Sequence, residues 1–164
     1  MTSGEIRQEE YKFKSQIFGI LKRNNILLPY INWNIELSSE YEDCKLSYDM
    51  KFNGMIELSV RIRKNEYLKY RDFTIRSKSK NGYECEIDKL MKGMGKIYFY
   101  GWMNKAETAF DDWIVVNINA IRSHLMDGEF RSNTDNTGFL FYPIEWLRKH
   151  NAIIAEYQLK ILDL

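Results

Sequence analysis

Apolar side chains near the N-terminus recur at the spacing of an amphipathic helix. The positions that share one helical side are Phe13, Ile17, Ile20 and Leu21. The stretch Thr2–Glu5 has the capping-box pattern that favours a helix start. Asn24 and then Pro29 favour the end of this helix. The sequence therefore predicts a first helix from about Gly4 to Arg23.

The apolar period then changes to two, which is typical of half-buried β-strands. This alternation covers three stretches: residues 31–37, 44–52 and 56–62. An Asn-Gly pair between the last two favours a tight turn. A two-residue loop would put opposite residues on mismatched faces, so we expect a three-residue loop or a bulge. That register places Met50 opposite Leu58 and Phe52 opposite Ile56.

The next alternating stretches predict a second hairpin. Phe73 and Ile75 share one face of the outgoing strand, and Cys85 and Ile87 share one face of the return strand. A loop at Lys80–Gly82 supplies a glycine where a positive φ angle is needed. Opposite charges then meet across the strands. The predicted pairs are Lys78 with Glu84, Arg76 with Glu86, and Thr74 with Asp88.

The C-terminal half predicts shorter elements. They are strands at Ile97–Trp102 and Trp113–Ile118, a short helix at Asn119–Met126, a loop at Glu129–Thr137, a strand at Phe139–Tyr142, a helix opening at Pro143, and a strand or tail at Ile153–Leu162. The fold class that follows is α+β, as a single domain over residues 1–164. A long antiparallel or mixed sheet packs on the N-terminal helix, with two short helices near the C-terminus.

Composition narrows the class of protein. The chain is 45% hydrophobic and 29% charged, which is typical of a globular protein. A net charge of +1 excludes a polycation that coats nucleic acid. Cys44 and Cys85 lack any repeat spacing, which indicates free thiols in a reducing cytosol. No apolar run approaches the roughly 20 residues of a membrane span. We expect a cytoplasmic protein without membrane contact, in the host cytoplasm if a phage encodes it.

Local charge is less even than the total. Basic residues concentrate between positions 61 and 80, and those that we expect to bind nucleic acid or a protein partner are Arg61, Arg63, Arg71, Arg76, Lys78 and Lys80. Such a strip suits a polyanion or an acidic protein surface, and it also suits a solvated sheet face. Tyr98, Tyr100 and Trp102 share one strand face, which predicts either a base-stacking platform or core packing.

Carboxylates give the main candidate for chemistry. In the predicted hairpin Asp72, Glu86 and Asp88 stand on one face of adjacent strands. Such oxygen ligands could hold Mg²⁺, which activates water and stabilises the charge of a phosphodiester transition state. The alternative is that Glu86 and its neighbours form cross-strand ion pairs on the surface. His124 and His150 have no Cys or His at ligand spacing, so the sequence predicts no zinc site there.

The order Asp72, then Glu86-Ile-Asp-Lys89, resembles the PD-(D/E)XK nuclease-like superfamily over about Asp72 to Trp102. The resemblance implies a restriction-endonuclease-like fold, metal-dependent phosphodiester cleavage and nucleic-acid substrates. It also implies that Asp72 and Glu86 hold the metal and that Lys89 orients the attacking water. A degenerate relative would keep the scaffold and lose the catalysis.

Two specific functions remain open, beside the plainer possibility of a structural or assembly protein with a large homomeric interface. One is a small nucleic-acid-acting protein, catalytic or degenerate. The other is a protein-binding module of a phage or mobile element that inhibits a host defence or nucleic-acid enzyme. Usage rich in Lys, Ile, Asn and Tyr is typical of an AT-rich genome and is compatible with the second function. Edge strands in a long sheet offer a pairing route, so a homodimer is compatible with either.

Overall fold

The computed structural model describes residues 3–24, 35–39, 48–52 and 56–158. Helix α1 spans Ser3–Arg23, as the apolar spacing predicts. Phe13, Ile17 and Leu21 are almost fully buried. Asn24 directly follows the helix, and its backbone and side-chain N–H groups both donate to the Ile20 carbonyl, at 3.1 and 2.9 Å.

The strands form two sheets rather than the predicted single sheet. The large sheet contains β1 (Ile35–Leu37), β2 (Met50–Phe52), β3 (Ile56–Arg63), β5 (Ile97–Met103), β6 (Phe110–Asn117) and β9 (Ile153–Gln158), in that spatial order. Strands β3 and β5 run parallel, and the other neighbours in it are antiparallel. The small sheet is antiparallel and contains β4 (Asp72–Lys78), β8 (Gly138–Pro143) and β7 (Glu129–Ser132), in that order. The α+β class is therefore confirmed.

Short helices connect the strands. Two of them are α-helical, α2 (Glu86–Met91) and α3 (Ile144–Lys149). Three others are 3₁₀ turns: Asn65–Tyr67, Ile118–Ala120 and Arg122–Asp127. Helix α3 follows Pro143 as predicted, whereas the helix predicted at Asn119–Met126 is replaced by the last two 3₁₀ turns. No helix in the described ranges combines the length and apolar character needed to cross a bilayer.

The predicted register of β2 against β3 is confirmed. Met50 lies opposite Leu58 and Phe52 lies opposite Ile56. The loop between these strands, at 53–55, lies outside the described residues, as do the predicted strand segments at 31–34 and 44–47. The predicted loop at Glu129–Thr137 is wrong in its first half, which forms β7. All four residues of that strand are exposed, so no apolar alternation marks it in the sequence.

The predicted second hairpin is wrong. Residues Glu86–Met91 form α2, and β4 pairs with β8 instead. Thr74, Arg76 and Lys78 consequently face β8, not the three acidic residues predicted to oppose them. The physical reason is that Ile87 and Leu90 bury one side of a helical turn. Capping also favours the helix, since the Asp88 carboxylate accepts the Cys85 backbone N–H at 2.8 Å.

The central strands of the large sheet, β5 and β6, are buried on both faces. Helix α1 covers one face, where its apolar side meets residues such as Phe99 and Val115. The small sheet and α2 cover the other face, where Tyr98, Tyr100 and Trp102 are each at most 2% exposed. The core alternative for these three rings is therefore confirmed, and the base-stacking platform predicted there is wrong.

Candidate functional site

Glu86 lies where the two sheets and α2 meet. It opens the first turn of α2, and its side chain is only 15% exposed. One carboxylate oxygen accepts the Arg61 guanidinium at 2.6 Å and the Arg76 backbone N–H at 2.9 Å. The other accepts the Tyr98 hydroxyl at 2.5 Å. The carboxylate therefore connects β3, β4 and β5 through protein hydrogen bonds.

The electrostatics of this cluster favour a permanent charge on Glu86. Burial acts to raise the pKa of Glu86, but the Arg61 charge and the hydrogen bonds from Tyr98 and Arg76 lower it below the usual value. Burial and the adjacent carboxylate together raise the pKa of Tyr98 well above its usual value. Tyr98 thus stays a neutral donor, and Glu86 stays ionised at physiological pH.

The other two predicted metal ligands, Asp72 and Asp88, do not share a strand face with Glu86. Asp72 opens β4 and is partly buried, and this burial raises its pKa although the Arg63 and Arg131 charges lower it. Asp88 caps α2, and Lys89 lies one position further along that helix. The shared strand face on which the metal prediction rested is therefore wrong, because Glu86 and Asp88 belong to a helix.

Within residues 3–24, 35–39, 48–52 and 56–158, no three His, Cys, Asp or Glu side chains gather closely enough to hold a metal ion. The Mg²⁺ site and the catalytic roles of Asp72, Glu86 and Lys89 stay predictions. The alternative of simple surface ion pairs also needs correction, since Glu86 pairs with Arg61 in a buried setting. Glu84 pairs with Lys92 on the surface, not with Lys78.

The predicted basic strip separates into internal and surface members. Arg71 donates to the buried Asp112 carboxylate at 2.7 Å and lies 3.5 Å from Glu156, and Arg61 is held by Glu86. These two arginines therefore stabilise the fold. The exposed members are Arg76, Lys78 and Lys80: Arg76 lies over the Phe139 ring, Lys78 donates to the Asn136 side chain at 2.8 Å, and Lys80 lies in the turn after β4. Arg63 is partly buried, with its guanidinium over the Tyr67 ring.

The outer face of the small sheet aligns cations with aromatic rings. Arg76, Phe139 and Arg131 are directly opposite one another on β4, β8 and β7, so they share one face. The Arg76 guanidinium lies 5.7 Å from the Phe139 ring centroid, and that of Arg131 lies 4.5 Å from the Phe141 centroid. We call Arg76, Arg131, Phe139 and Phe141 the arginine–aromatic face.

Of the four residues on this face, the sequence predicts only Arg76 as a binding residue. It predicts a loop around Arg131, because exposed β7 carries no apolar pattern. One signal was available in the run Phe139–Tyr142, which is aromatic or aliphatic on both strand faces. Leu140 and Tyr142 fill the core, whereas Phe139 and Phe141 are only half-buried. A strand that is apolar on both faces indicates that its outer face is covered or used.

No protein-family model matches the chain, and neither a curated protein nor a solved structure was found to match it. The structure therefore defines the protein only as an α+β protein with a mixed sheet covered by a helix on one face and by a small antiparallel sheet on the other. Its function must be inferred from the chemistry of the two sites described above.

Proposed function

We propose that this protein binds single-stranded nucleic acid through the arginine–aromatic face and does not cleave it. The observation that carries the proposal is the row of Arg76, Phe139 and Arg131 across the small sheet. Aromatic side chains on an exposed antiparallel sheet are suitable platforms for stacked bases. Guanidinium groups beside them supply the positive charge that phosphates require.

The dimensions of the face fit one or two nucleotides. Arg76 and Arg131 are separated by two strand spacings, or roughly 10 Å. Phe139 lies between them and is half-buried, so its ring can accept a stacked base without much loss of side-chain entropy. Arg131 also pairs with Glu129 at 3.0 Å, but both side chains are at least half exposed, so a phosphate can compete for the guanidinium.

The non-catalytic form is the better supported form of the nuclease-like proposal. A metal ion at Glu86 would have to displace Arg61 and Tyr98 from its carboxylate, which would leave a partly buried cation without its counter-charge. Arg61 also keeps a positive charge where the metal would bind. Relatives of enzymes often keep the fold and lose the catalytic activity.

Fluorescence anisotropy with labelled single-stranded RNA and DNA of mixed sequence tests the proposal. We expect Arg76→Ala and Arg131→Ala each to weaken binding across all sequences and to reduce the slope of log K against log salt by about 0.7. Phe139→Ala should weaken binding by about 1–3 kcal/mol at any salt concentration.

Lys22→Ala is the matched control, because it removes a cation from α1 on the opposite side of the large sheet. Binding that is absent, or that Lys22→Ala weakens as much as Arg76→Ala does, would overturn the proposal. The same oligonucleotides should stay intact with Mg²⁺ or Mn²⁺. Cleavage that Glu86→Gln abolishes, while circular dichroism shows that the variant stays folded, would replace the non-catalytic form with the enzymatic one.

A separate observation favours the second function, a cytoplasmic module that binds and inhibits a host protein. Strand β7 lies at the edge of the small sheet among the described strands, and all of its residues are exposed. Phe130 on this strand is 53% exposed, and nearby Met126 is 67% exposed. A partner strand could add to this edge, as could the same strand of a second copy in a homodimer. The unmodified chain should then capture a protein partner from host lysate, and Phe130→Asp should not. Recovery of nucleic acid alone would contradict this second function.

A further inference from the structure

The two histidines of the chain lie in contact, although they are far apart in sequence. His124 belongs to the 3₁₀ turn Arg122–Asp127, and His150 directly follows α3. Their ring centroids are 4.9 Å apart, and their planes meet at 52°. The chain contains only these two histidines, so any imidazole chemistry of the protein belongs to this pair.

Hydrogen bonds favour one neutral tautomer of each ring. The Nδ1 atom of His150 lies 2.8 Å from the Trp146 carbonyl oxygen, which can only accept. Nδ1 therefore carries the proton, and in the neutral ring Nε2 keeps a lone pair. His124 Nδ1 lies 3.1 Å from the Asp127 carboxylate, which favours the same tautomer. Metal-binding histidines are held in this way, with Nδ1–H donated to a carboxylate or carbonyl and Nε2 available as the ligand.

The separation of the rings fits joint coordination. Two imidazoles that bind one zinc ion through nitrogens at about 2.1 Å, at a near-tetrahedral angle, have ring centroids about 5 Å apart. The observed separation is 4.9 Å. His150 is held in place by the Trp146 ring at 4.1 Å, and Trp146 packs on Tyr142 at 5.1 Å. One half of the pair is therefore preorganised by the core.

The pair is open to solvent, which a bound ion needs. His124 is 48% exposed, so ions and water can reach it. We propose that Nε2 of His124 and Nε2 of His150 together bind one divalent transition-metal ion such as Zn²⁺, Cu²⁺ or Ni²⁺, with water completing the coordination. Imidazole nitrogen suits these ions, whereas Mg²⁺ prefers oxygen ligands. The site is independent of the arginine–aromatic face and of the carboxylates near Glu86.

The sequence could not predict this site. Zinc motifs are recognised by short spacings between ligands on one or two neighbouring elements. His124 and His150 are brought together only because β8 and α3 return the chain to the 3₁₀ turn that carries His124. Asp127 supports His124 as a positioning residue and does not need to touch the ion.

Copper titration of the untagged protein, followed by electron paramagnetic resonance, tests the proposal. We expect one Cu²⁺ ion per chain, with a nitrogen hyperfine pattern from two imidazoles. His124→Gln and His150→Gln should each reduce the pattern to one nitrogen and weaken Zn²⁺ binding, measured by calorimetry, by at least about tenfold. Asp127→Asn should weaken binding by about tenfold and keep the two-nitrogen pattern.

Lys149→Gln is the matched control, since it changes an exposed charge beside His150 and supplies no ligand. Its metal affinity should equal that of the unmodified chain. His124→Gln replaces a half-exposed side chain, and circular dichroism will verify that it folds. A spectrum with one nitrogen or none in the unmodified chain would overturn the proposal. Unchanged metal affinity in both histidine variants would also overturn it, because the ion would then lie elsewhere.

Discussion

The Arg61 guanidinium lies 2.6 Å from the Glu86 carboxylate and joins β3 to the first turn of α2. The same carboxylate accepts the backbone N–H of Arg76 on β4, which is an edge strand of the small sheet among the described strands. Glu86 thereby gives the small sheet a polar attachment to the large sheet. The residue that the sequence singles out for metal chemistry has a structural role that accounts for its burial and its charge.

Removal of the Glu86 charge should destabilise the protein. In Glu86→Gln the Arg61 guanidinium, which is 24% exposed, loses its counter-charge in a partly buried site. We expect a loss of about 3 kcal/mol in the free energy of unfolding, measured by urea denaturation. Glu84→Gln is the matched control, because its ion pair with Lys92 lies on the surface and should contribute much less to stability. Equal losses in the two variants would contradict the buried role of Glu86.

The same pair predicts how stability depends on acid. Because the pKa of Glu86 is lowered in the folded state, its contribution is complete above the unfolded value near 4.5 and is lost as pH falls through the folded pKa. Burial raises the pKa of Asp72 and of Asp112, so these groups act in the opposite direction. Comparison of the unmodified chain with Glu86→Gln isolates the contribution of Glu86, because Asp72 and Asp112 are present in both proteins. The stability difference between the unmodified chain and Glu86→Gln should be constant well above pH 4.5 and should narrow as the pH falls below that value and through the folded pKa. A difference that stays constant in acid would contradict the assignment.

Arg71 combines an ion pair with an unusual backbone. Its φ angle is 40°, in the left-handed region that favours glycine, and its guanidinium holds the Asp112 carboxylate, which is 2% exposed. Arg71→Ala should destabilise the fold by about 3 kcal/mol, since Asp112 loses its partner. Arg71→Gly loses the same ion pair but relieves the backbone, so it should be about 1 kcal/mol more stable than Arg71→Ala. Urea denaturation of both variants measures this difference, and the reverse order would contradict the strained conformation.

Local patterns predicted the parts of the fold that local chemistry determines. Helix α1 follows from the spacing of Phe13, Ile17 and Leu21, which keeps one side apolar over several turns. The register of Met50 against Leu58 follows because a one-residue shift would move every apolar side chain to the other face. In both cases the constraint lies within a short stretch of chain.

The prediction of the second hairpin failed because the same few residues fit both the strand period and the helix period. Cys85 and Ile87 alternate as in a strand, and Ile87 and Leu90 are also spaced as one side of a helix. The true neighbour of Arg76 is Phe139, which comes after β5, β6 and β7 in the chain. Nothing local encodes that pairing. The arginine–aromatic face and the histidine pair depend on such non-local contacts, so the sequence alone could not predict them.

A substitution at Gly101 would test the packing between α1 and the large sheet. A Cβ atom at this position of β5 would lie 2.7 Å from the Phe110 ring and 2.9 Å from the Phe99 ring. These rings pack edge to face, with centroids 5.1 Å apart, and Phe13 of α1 contacts Phe110 with a centroid distance of 4.9 Å. The added methyl group must therefore displace rings that support the helix. We expect Gly101→Ala to cost about 2 kcal/mol in the free energy of unfolding.

A compensating change identifies the cause of that loss. Phe110→Leu makes the neighbouring side chain smaller, so in the double variant the methyl group of Gly101→Ala has space. The two single losses should then fail to add, and the double variant should be at least about 0.5 kcal/mol more stable than their sum. Additive losses, measured by urea denaturation of the four proteins of the cycle, would mean that Gly101 is required for its backbone and not for the space beside Phe110. The cycle thus separates a steric requirement from a conformational one at the centre of the large sheet.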